Sequence, residues 1–389
     1  MMPHCACPRR WLVIPRQGAG LAINSVSEAN AAIAAGELVV VVDDDDRENE
    51  GDLIMAASKA MPEQLAFMIR HTSGIICAPL APDIAERLQL SPMVATNRDP
   101  MRTAFTVSVD YAEGLTTGIS AEERTNTVRA LANDNCAAAD FLRPGHVFPL
   151  ISKTGGVLMR SGHTEAATDL ARLAGLPEVG VLAEIVNDDG TVKRLPELIA
   201  FAREHRLKIV SIAELIEHRI RTERLVSRIE SRPIATPIGP AEVHVYTTPF
   251  DETQHLAVSF GDVAGSSGVP CRIHHEQPLR DLFDAPRSQR WLDVALTRFK
   301  TGGKGVLVYV RDPKITTLQT APASQSTEEA DRHLSSRQRR ERWREIGLGA
   351  QILRDLGVSS IKLIATQHRQ YVGLAGFGIE IAETEIVES

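Results

Sequence analysis

Aromatic residues and cysteines are scarce in this chain of 389 residues, and long apolar runs are missing from it. Aromatics make up 4% of the residues, and there are five cysteines. No apolar stretch approaches the roughly 20 residues of a membrane-spanning helix, so we expect no membrane partner. An odd number of scattered cysteines favours reduced thiols in a cytoplasmic protein over a disulfide framework. They are Cys5, Cys7, Cys77, Cys136 and Cys271.

Excess positive charge is also lacking. The formal net charge is −7 and the isoelectric point is near 6.0, which argues against nucleic-acid binding and leaves small-molecule chemistry open. One basic run, residues 335–345, is interleaved with Glu341 and Glu345, which is typical of a solvated helix face. Near the N-terminus the apolar run is only WLVI, too short for a secretory signal, so residues 1–20 are predicted to be a tail.

The length predicts two domains, because one hydrophobic core rarely extends over so many residues. Residues 212–230 have the pattern of a charged amphipathic helix. The ten residues that follow contain three prolines and a glycine, which favours an extended connector. We therefore predict a first domain at 21–220, a linker at 221–240 and a second domain at 241–389.

Helical and strand patterns alternate along the first domain. Leu38 to Val42 is a continuous apolar run typical of a buried strand, and residues 163–173 have the spacing of an amphipathic helix that stops before Gly175. Such interleaving predicts an α+β fold in which helices flank a mixed sheet.

Seven acidic residues crowd directly behind that predicted strand. An exposed, solvated loop is one interpretation of such a run. A divalent cation is the other, since clustered carboxylates are tolerated when a cation neutralises them, and Mg²⁺ prefers oxygen ligands. Arg47 lies within the run and is suited to an anion, and Gly51 would permit a tight turn. The acids are Asp43, Asp44, Asp45, Asp46, Glu48, Glu50 and Asp52.

A second stretch, RSGHT at 160–164, precedes a predicted helix. Backbone N–H groups at a helix N-terminus, with Arg160 beside them, are suited to a phosphate. His163 is either a structural histidine or a ligand at this helix start.

Two further residues are candidates for proton transfer. Pro144 and Gly145 are expected to form a turn that presents His146, although a loop histidine bonded to backbone carbonyls is an equally good interpretation. Glu184 lies in an apolar strand pattern, where a carboxylate is costly to bury unless it is paired or functional. Together the stretches suggest a phosphorylated substrate, a divalent metal and a His/Glu pair.

Four motifs in order resemble the 3,4-dihydroxy-2-butanone 4-phosphate synthase family of riboflavin biosynthesis, over residues 20–220. They are DDDDRENEGDLI, TTGISAEERTNTVRAL, RPGHVFPLISKTGGVLMRSGHTEAATDLARLAG and GVLAEIVNDDG. The resemblance implies conversion of D-ribulose 5-phosphate to 3,4-dihydroxy-2-butanone 4-phosphate and formate. It also implies an α+β fold, Mg²⁺ or Mn²⁺ as cofactor, and a homodimer with active sites near its interface.

The resemblance also implies roles for individual residues. Glu48 and His163 would hold the metal, and His146 and Glu184 would be essential for catalysis. Substrate contacts would come from Arg47, Glu48, Asp52, Arg160, Ser161, Gly162, His163, Thr164 and Glu184. The chain departs from the family pattern at Ser161, where glycine is usual, and at the bulkier Met101-Arg102 loop.

The second domain, a smaller α/β unit, resembles GTP cyclohydrolase II, most clearly over residues 345–381. That family needs three cysteine thiolates for a catalytic zinc, yet this domain has only Cys271, and Gln277 stands where the first ligand is expected. We therefore expect no zinc and no cyclohydrolase activity here. The domain would then be a structural appendage, or a regulatory module for a nucleotide or flavin.

Three alternatives for the whole chain stay open at this point. It could be a non-enzymatic regulator built from two inactive enzymes, or a bifunctional enzyme with an atypical cyclohydrolase site. A metal-dependent sugar-phosphate aldolase or isomerase is the third, and formate release separates it from the synthase.

Overall fold

A computed structural model describes residues 23–45, 47–250, 252–278, 281, 291–311, 347–365 and 378–387. The expected N-terminal tail, the basic run at 335–345 and most of the Gln277-to-Trp291 segment lie outside these residues. Within the described part of the chain, none of the helices combines the length and the apolar character needed to span a bilayer.

Seven helices and seven strands form the first unit. The helices are α1 (Val26–Ala35), α2 (Pro62–His71), α3 (Pro82–Arg87), α4 (Ala121–Leu131), α5 (His163–Leu173), α6 (Leu195–Glu204) and α7 (Ile212–Thr222). The strands are β1 (Val39–Val42), β2 (Gly51–Ala56), β3 (Cys77–Leu80), β4 (Val109–Tyr111), β5 (Phe141–Ile151), β6 (Gly180–Glu184) and β7 (Lys208–Ser211).

The seven strands pair in the order β4-β5-β3-β6-β2-β1-β7. β1 is antiparallel to β2 and parallel to β7, so the sheet is mixed, as predicted. Both faces are covered. One core cluster packs on the side of α1, α5 and α7, and a second on the side of α2, α4 and α6. This is why β1 and β2 are buried along their whole length.

A second sheet of seven strands follows, in the order β14-β13-β11-β12-β10-β9-β8. Its strands are β8 (Ser227–Thr236), β9 (Gly239–Thr247), β10 (His255–Phe260), β11 (Val269–His275), β12 (Gly305–Val310), β13 (Ser360–Ala365) and β14 (Glu380–Ile386). Helix α8 (Trp291–Gly302) packs on β11 and β12, and a further helix, α9, occupies residues 347–355.

The junction between the two sheets differs from the sequence expectation. The helix predicted for 212–230 is correct up to Thr222 and wrong beyond it, because α7 ends there. Half of the expected 221–240 linker is the edge strand β8, which pairs antiparallel with β9. The proline-rich stretch is thus extended, as its composition requires, and it belongs to the second sheet.

Candidate functional site

The acidic run forms an ordered turn between β1 and β2, and Asp43 organises it. The Asp43 carboxylate accepts hydrogen bonds from the backbone N–H of Glu48 at 3.0 Å and of Glu50 at 2.9 Å, and from Arg47 Nη1 at 2.9 Å. Its side chain is 1% exposed. A solvated loop, one of the two interpretations of the acidic run, therefore does not describe Asp43, because its carboxylate is hydrogen-bonded within the turn.

Glycine plays a different part in this turn from the one expected. Asn49 takes the left-handed backbone conformation, with φ of 54°. Gly51 is instead required by packing, because a Cβ there would lie 2.6 Å from Leu198 Cδ1. Arg194 Nη1 holds the turn from α6 by donating to the carbonyls of Glu48 and Asn49.

Asp52 and His163 meet below this turn. Asp52 lies on β2 directly opposite Val41 of β1, and His163 at the start of α5 has Nε2 within 3.2 Å of the Val41 carbonyl. The Nε2–H donates to that carbonyl, so Nδ1 faces Glu48, whose Oε2 is 3.8 Å away. His163 thus has the orientation of a ligand.

Two sets of donor atoms converge on this histidine. One ligand atom each from Asp43, Glu48 and His163 lie within 4.8 Å of one another, and the same holds for Glu50, Asp52 and His163. Asp52 Oδ1 is buried and has no hydrogen-bond partner within the described residues. A buried, unsatisfied carboxylate oxygen is costly, so these donors suit a divalent cation bound by oxygens and one imidazole.

The pKa values reflect this crowding. Burial raises the pKa of Asp52 to about 8, an effect that the nearby imidazole only partly offsets. Burial by itself lowers the pKa of His163, but the charges of Asp52 and Glu48 outweigh it and raise the value to about 9. Burial likewise opposes ionisation of Glu48, yet His163 and Arg47 bring its pKa down to about 2. Without a metal, His163 therefore serves as a counter-ion of Glu48.

The α5 N-terminus has the features predicted for an anion site. Gly162 is its N-cap, and none of the described side chains caps the helix there. A Cβ on Gly162 would lie 2.5 Å from Arg160 Nη1 and 3.1 Å from Arg47 Nη2, so two guanidinium groups flank the helix start. The buried Glu165 currently pairs with Arg160 at 2.7 Å.

The remaining residues of RSGHT complete this helix start. Ser161 and Thr164 are both buried, at 7% and 6% exposure. Arg160 Nη2 also donates to the Met101 carbonyl and to Thr103 Oγ1, at 3.2 and 3.3 Å. The Met101-Arg102 loop noted in the sequence is therefore attached directly to the candidate phosphate site.

Glu184 joins the same cluster from β6. It lies directly opposite Asp52 on the neighbouring strand, and its Oε2 accepts a 2.6 Å hydrogen bond from Ser73 Oγ. Cys77 on β3 is a neighbour that the sequence reasoning missed. Burial, followed by the charges of Glu184 and Asp52, raises the pKa of its thiol. Only the sheet order brings this cysteine to the site.

His146 is not presented by a turn, which corrects the sequence expectation. It lies within β5, and Asp110 of β4 holds it in two places. His146 Nδ1 is 2.7 Å from Asp110 Oδ2, and the His146 N–H donates to Oδ1 at 2.8 Å. Asp110 is 3% exposed, so it is a fixed support for the imidazole. Gly118 packs so closely that a Cβ would lie 2.2 Å from the same carboxylate.

The predicted residues therefore fall into two groups. Glu48, Asp52, His163 and Glu184 cluster around the ends of β1, β2 and β6, with Arg47 and Arg160 beside them. His146 stands apart on β5, since β3 runs between β5 and β6. Two strand spacings, roughly 10 Å, lie between β5 and β6, so the two residues of the His/Glu pair come from strands that are not neighbours.

The second unit contains a different polar cluster, centred on Asp281. Its carboxylate accepts from His274 Nε2 at 2.7 Å, Trp291 Nε1 at 3.1 Å, Tyr309 Oη at 2.9 Å and the Gln277 N–H at 3.0 Å. Trp291 also stacks on the His274 ring, with centroids 3.7 Å apart. Each carboxylate oxygen thus already has two donors.

Comparison with known proteins accounts for both units. The sequence model for 3,4-dihydroxy-2-butanone 4-phosphate synthase matches residues 27–218, and that for GTP cyclohydrolase II matches residues 227–386. Riboflavin biosynthesis protein RibBA of Rhodococcus erythropolis is 46% identical over 377 residues, covering 92% of this chain and 88% of that protein. The monofunctional riboflavin biosynthesis protein RIBA 2 of Arabidopsis thaliana is 44% identical over 367 residues, covering 92% and 76%.

Solved structures agree. RibBX, a two-domain 3,4-dihydroxy-2-butanone 4-phosphate synthase from A. baumannii, aligns with a TM-score of 0.75 at 37% identity, covering 94% of this chain and all of that one. A 3,4-dihydroxy-2-butanone 4-phosphate synthase in complex with two magnesium ions aligns with a TM-score of 0.50 at 45% identity, covering 51% and 98%.

Fold and site together define a two-domain enzyme of riboflavin biosynthesis, with a 3,4-dihydroxy-2-butanone 4-phosphate synthase domain followed by a domain of GTP cyclohydrolase II type. The chain belongs to the RibBA family of riboflavin biosynthesis proteins. The resemblance found in the sequence motifs is therefore confirmed, as is the α+β fold.

Proposed function

We propose that the enzyme converts D-ribulose 5-phosphate into 3,4-dihydroxy-2-butanone 4-phosphate and formate, using Mg²⁺ or Mn²⁺ at the Glu48–His163 site. The observation that carries this proposal is the convergence of the acidic turn, the buried Asp52 and His163 beside a helix N-terminus flanked by two arginines. This arrangement offers a cation site and an anion site side by side, as a chelating sugar phosphate requires.

Glu48 and His163 would hold the metal, with Asp52 and Glu50 close enough to contribute. The donors fit such an ion, since Asp52 Oδ1 is buried without a partner in the part of the chain that the structure describes, and His163 already has Nδ1 toward Glu48. A divalent cation bound there would polarise the substrate carbonyl and stabilise enediolate charge. The related synthase solved with two magnesium ions supports the same choice of metal.

The protein's own groups supply binding and proton transfer. Arg47, Arg160 and the N–H groups from Gly162 to Thr164 would bind the phosphate, with Arg160 exchanging Glu165 for it. Because Asp110 occupies Nδ1 of His146, the Nε2 atom is the one that can take up a proton. Glu184 would exchange protons from the opposite side of the substrate, and Ser73 orients it.

We further propose that the second domain has no GTP cyclohydrolase activity and binds no catalytic zinc. Cys271 is its only cysteine, and that residue is buried on β11, where burial raises the pKa of the thiol to about 12. A cysteine that ligates zinc must be a thiolate, and this environment disfavours that form of Cys271. His274 Nε2 is engaged by Asp281. The match to the cyclohydrolase family and the RibBA relatives favour the alternative, a bifunctional enzyme with an atypical site.

A homodimer belongs to the same proposal. Three large apolar side chains are half exposed close to site residues: Ile75 at 50%, Ile119 at 54% and Leu142 at 50%. Ile119 follows Gly118, which packs on Asp110 and His146. A second copy covering these side chains would shield the site from water. A cytoplasmic location is proposed on the three described cysteines, Cys77, Cys136 and Cys271, which are unpaired.

The test is formate release by purified, metal-supplemented protein. Formate from ribulose 5-phosphate, and none from GTP with added zinc, is the expected result. Glu48→Ala should abolish turnover and weaken Mg²⁺ dependence, whereas Glu122→Ala, at an exposed position, should match the wild type. Formate from GTP would establish the bifunctional alternative, and an active Glu48→Ala enzyme would refute the metal assignment.

A further inference from the structure

The second domain touches the synthase domain at the end of α7, through one glutamine of α9. Gln351 Nε2 donates to the carbonyls of Ile220 and Glu223, at 3.0 and 2.9 Å, and its Oε1 accepts from the Leu225 N–H at 2.6 Å. The last carbonyls of a helix need such partners. A single side chain of the second domain therefore hydrogen-bonds both to the end of α7 and to the residues that follow this helix.

Glu223, which Gln351 holds, is one of two acids that pair with the buried Arg219. Glu223 accepts from Arg219 Nε and Nη2, both at 2.8 Å, and from Arg172 Nη2 at 2.6 Å. Arg219 is 3% exposed, so its charge depends on these partners. A shift of the Glu223 backbone would therefore move Arg219 as well.

Arg219 also hydrogen-bonds to the segment that precedes RSGHT, so its position affects that segment. Its Nη1 donates to the Gly155 carbonyl and to Asp169 Oδ2, both at 2.7 Å. The same Asp169 oxygen accepts from the Val157 N–H at 2.9 Å. Gly156 packs too closely on Asp169 to be replaced by a residue with a side chain, since a Cβ there would lie 2.0 Å from Asp169 Oδ1. Through Arg219, α7 thus holds the segment from residue 153 to 159 in place.

The second domain also contacts this segment directly. Phe250, between β9 and β10, packs on the shared core cluster, and its Cδ1 would lie 2.7 Å from a Cβ on Gly155. The core cluster itself runs from Leu158 and Ala166 of the first unit to Tyr246 and Leu353 of the second. Phe250 therefore contacts the loop just ahead of Arg160 directly, whereas Gln351 reaches it through Glu223 and Arg219.

We propose that the second domain is a brace for the phosphate site, in which Gln351 and Phe250 are positioning residues that hold the 153–159 segment and thereby Arg160 and the α5 N-terminus. The proposal rests on the phosphate role given above to residues 160–164. It assigns the domain a task that needs neither zinc nor GTP.

The experiment compares four full-length proteins: wild type, Gln351→Ala, Phe250→Ala and Arg354→Ala. Arg354 is exposed on the same helix as Gln351 and is the matched control. The kcat and KM for ribulose 5-phosphate are measured by formate release, and inorganic phosphate is tested as a competitive inhibitor. Both positioning variants should raise KM and the phosphate inhibition constant about three- to tenfold, with kcat changed less than twofold. Arg354→Ala should match the wild type.

Phosphate inhibition is the deciding measurement, because a merely structural role would lower the amount of active enzyme without changing the inhibition constant of the remainder. Unchanged KM and phosphate inhibition in both variants would overturn the brace. If one variant fails to fold, the other still decides the matter. A wild-type enzyme that releases no formate would instead refute the proposed function. In that case phosphate binding to the wild type and to Phe250→Ala, measured by calorimetry, would still test the brace.

Discussion

Removing the charge of Asp110 while keeping its shape tests how His146 works. In Asp110→Asn, one amide must face both the backbone N–H and Nδ1 of His146, which now lie 2.8 and 2.7 Å from the two carboxylate oxygens. If the amide oxygen keeps the backbone bond, the NH₂ group faces Nδ1 and forces its proton onto Nε2. If the amide is reversed, the NH₂ group faces the backbone N–H, and two donors cannot form a hydrogen bond. Either way the imidazole loses its support or its basic nitrogen.

The expected fall in kcat follows from the loss of the hydrogen bond between His146 Nδ1 and the Asp110 carboxylate. A hydrogen bond to a charged group contributes about 1.5–3 kcal/mol. Lost from the transition state alone, that is a fall in kcat of roughly 10- to 150-fold, at 1.36 kcal/mol per factor of ten. KM should change little, because His146 stands apart from the phosphate site.

The assay is formate release at saturating ribulose 5-phosphate, with Asp134→Asn as the control. The Asp134 side chain is 89% exposed, so its charge is dispensable. A wild-type kcat in a folded Asp110→Asn enzyme would show that Asp110 does not set the protonation of His146.

Three further predictions concern the metal site and the ion-pair network. His163→Ala should lower kcat by about 100-fold or more and raise the Mg²⁺ concentration needed for half-maximal rate, and an unchanged Mg²⁺ titration would remove His163 from the site. In metal-free buffer the free energy of unfolding should fall as pH rises from about 4 to 8, because folded Asp52, with its pKa raised to about 8, keeps a proton that the unfolded chain releases. Urea denaturation at pH 5 and pH 8 should show a smaller fall for Asp52→Asn, and equal falls would contradict this assignment. Arg219→Met should cost about 3–5 kcal/mol in chemical denaturation, since it leaves the buried Asp169 carboxylate without its close ion-pair partner. The exposed pair of Arg221 with Glu217 makes Arg221→Met nearly neutral; similar losses in both would refute the network.

Much of the synthase site could be predicted because it is local in sequence. The acidic run, Arg47 and the RSGHT segment each lie within a few residues of a strand or helix end, where backbone groups are exposed to ligands. The sequence did not indicate which acidic residues hold the turn and which face the site. Asp43 differs from its neighbours only by being the first acid after β1, where its carboxylate can reach the N–H groups of the returning turn.

Other features depended on contacts between distant segments. Asp110 lies 36 residues before His146, and only the β4–β5 pairing joins them. Cys77 reaches the site through its place between β5 and β6. The β8 strand was obscured because proline and charged residues, common in connectors, are also tolerated on the edge strand of a sheet. Gln351 and Arg219 have no local signature at all.

The most direct test of the central proposal follows one carbon. Purified enzyme with Mg²⁺ is given ribulose 5-phosphate labelled with ¹³C at C4, and the products are followed by NMR. We expect the label to leave as formate, while the other carbons remain in a four-carbon phosphate. Label retained in a phosphorylated product, as an aldolase or isomerase would leave it, would refute the synthase reaction proposed for this enzyme.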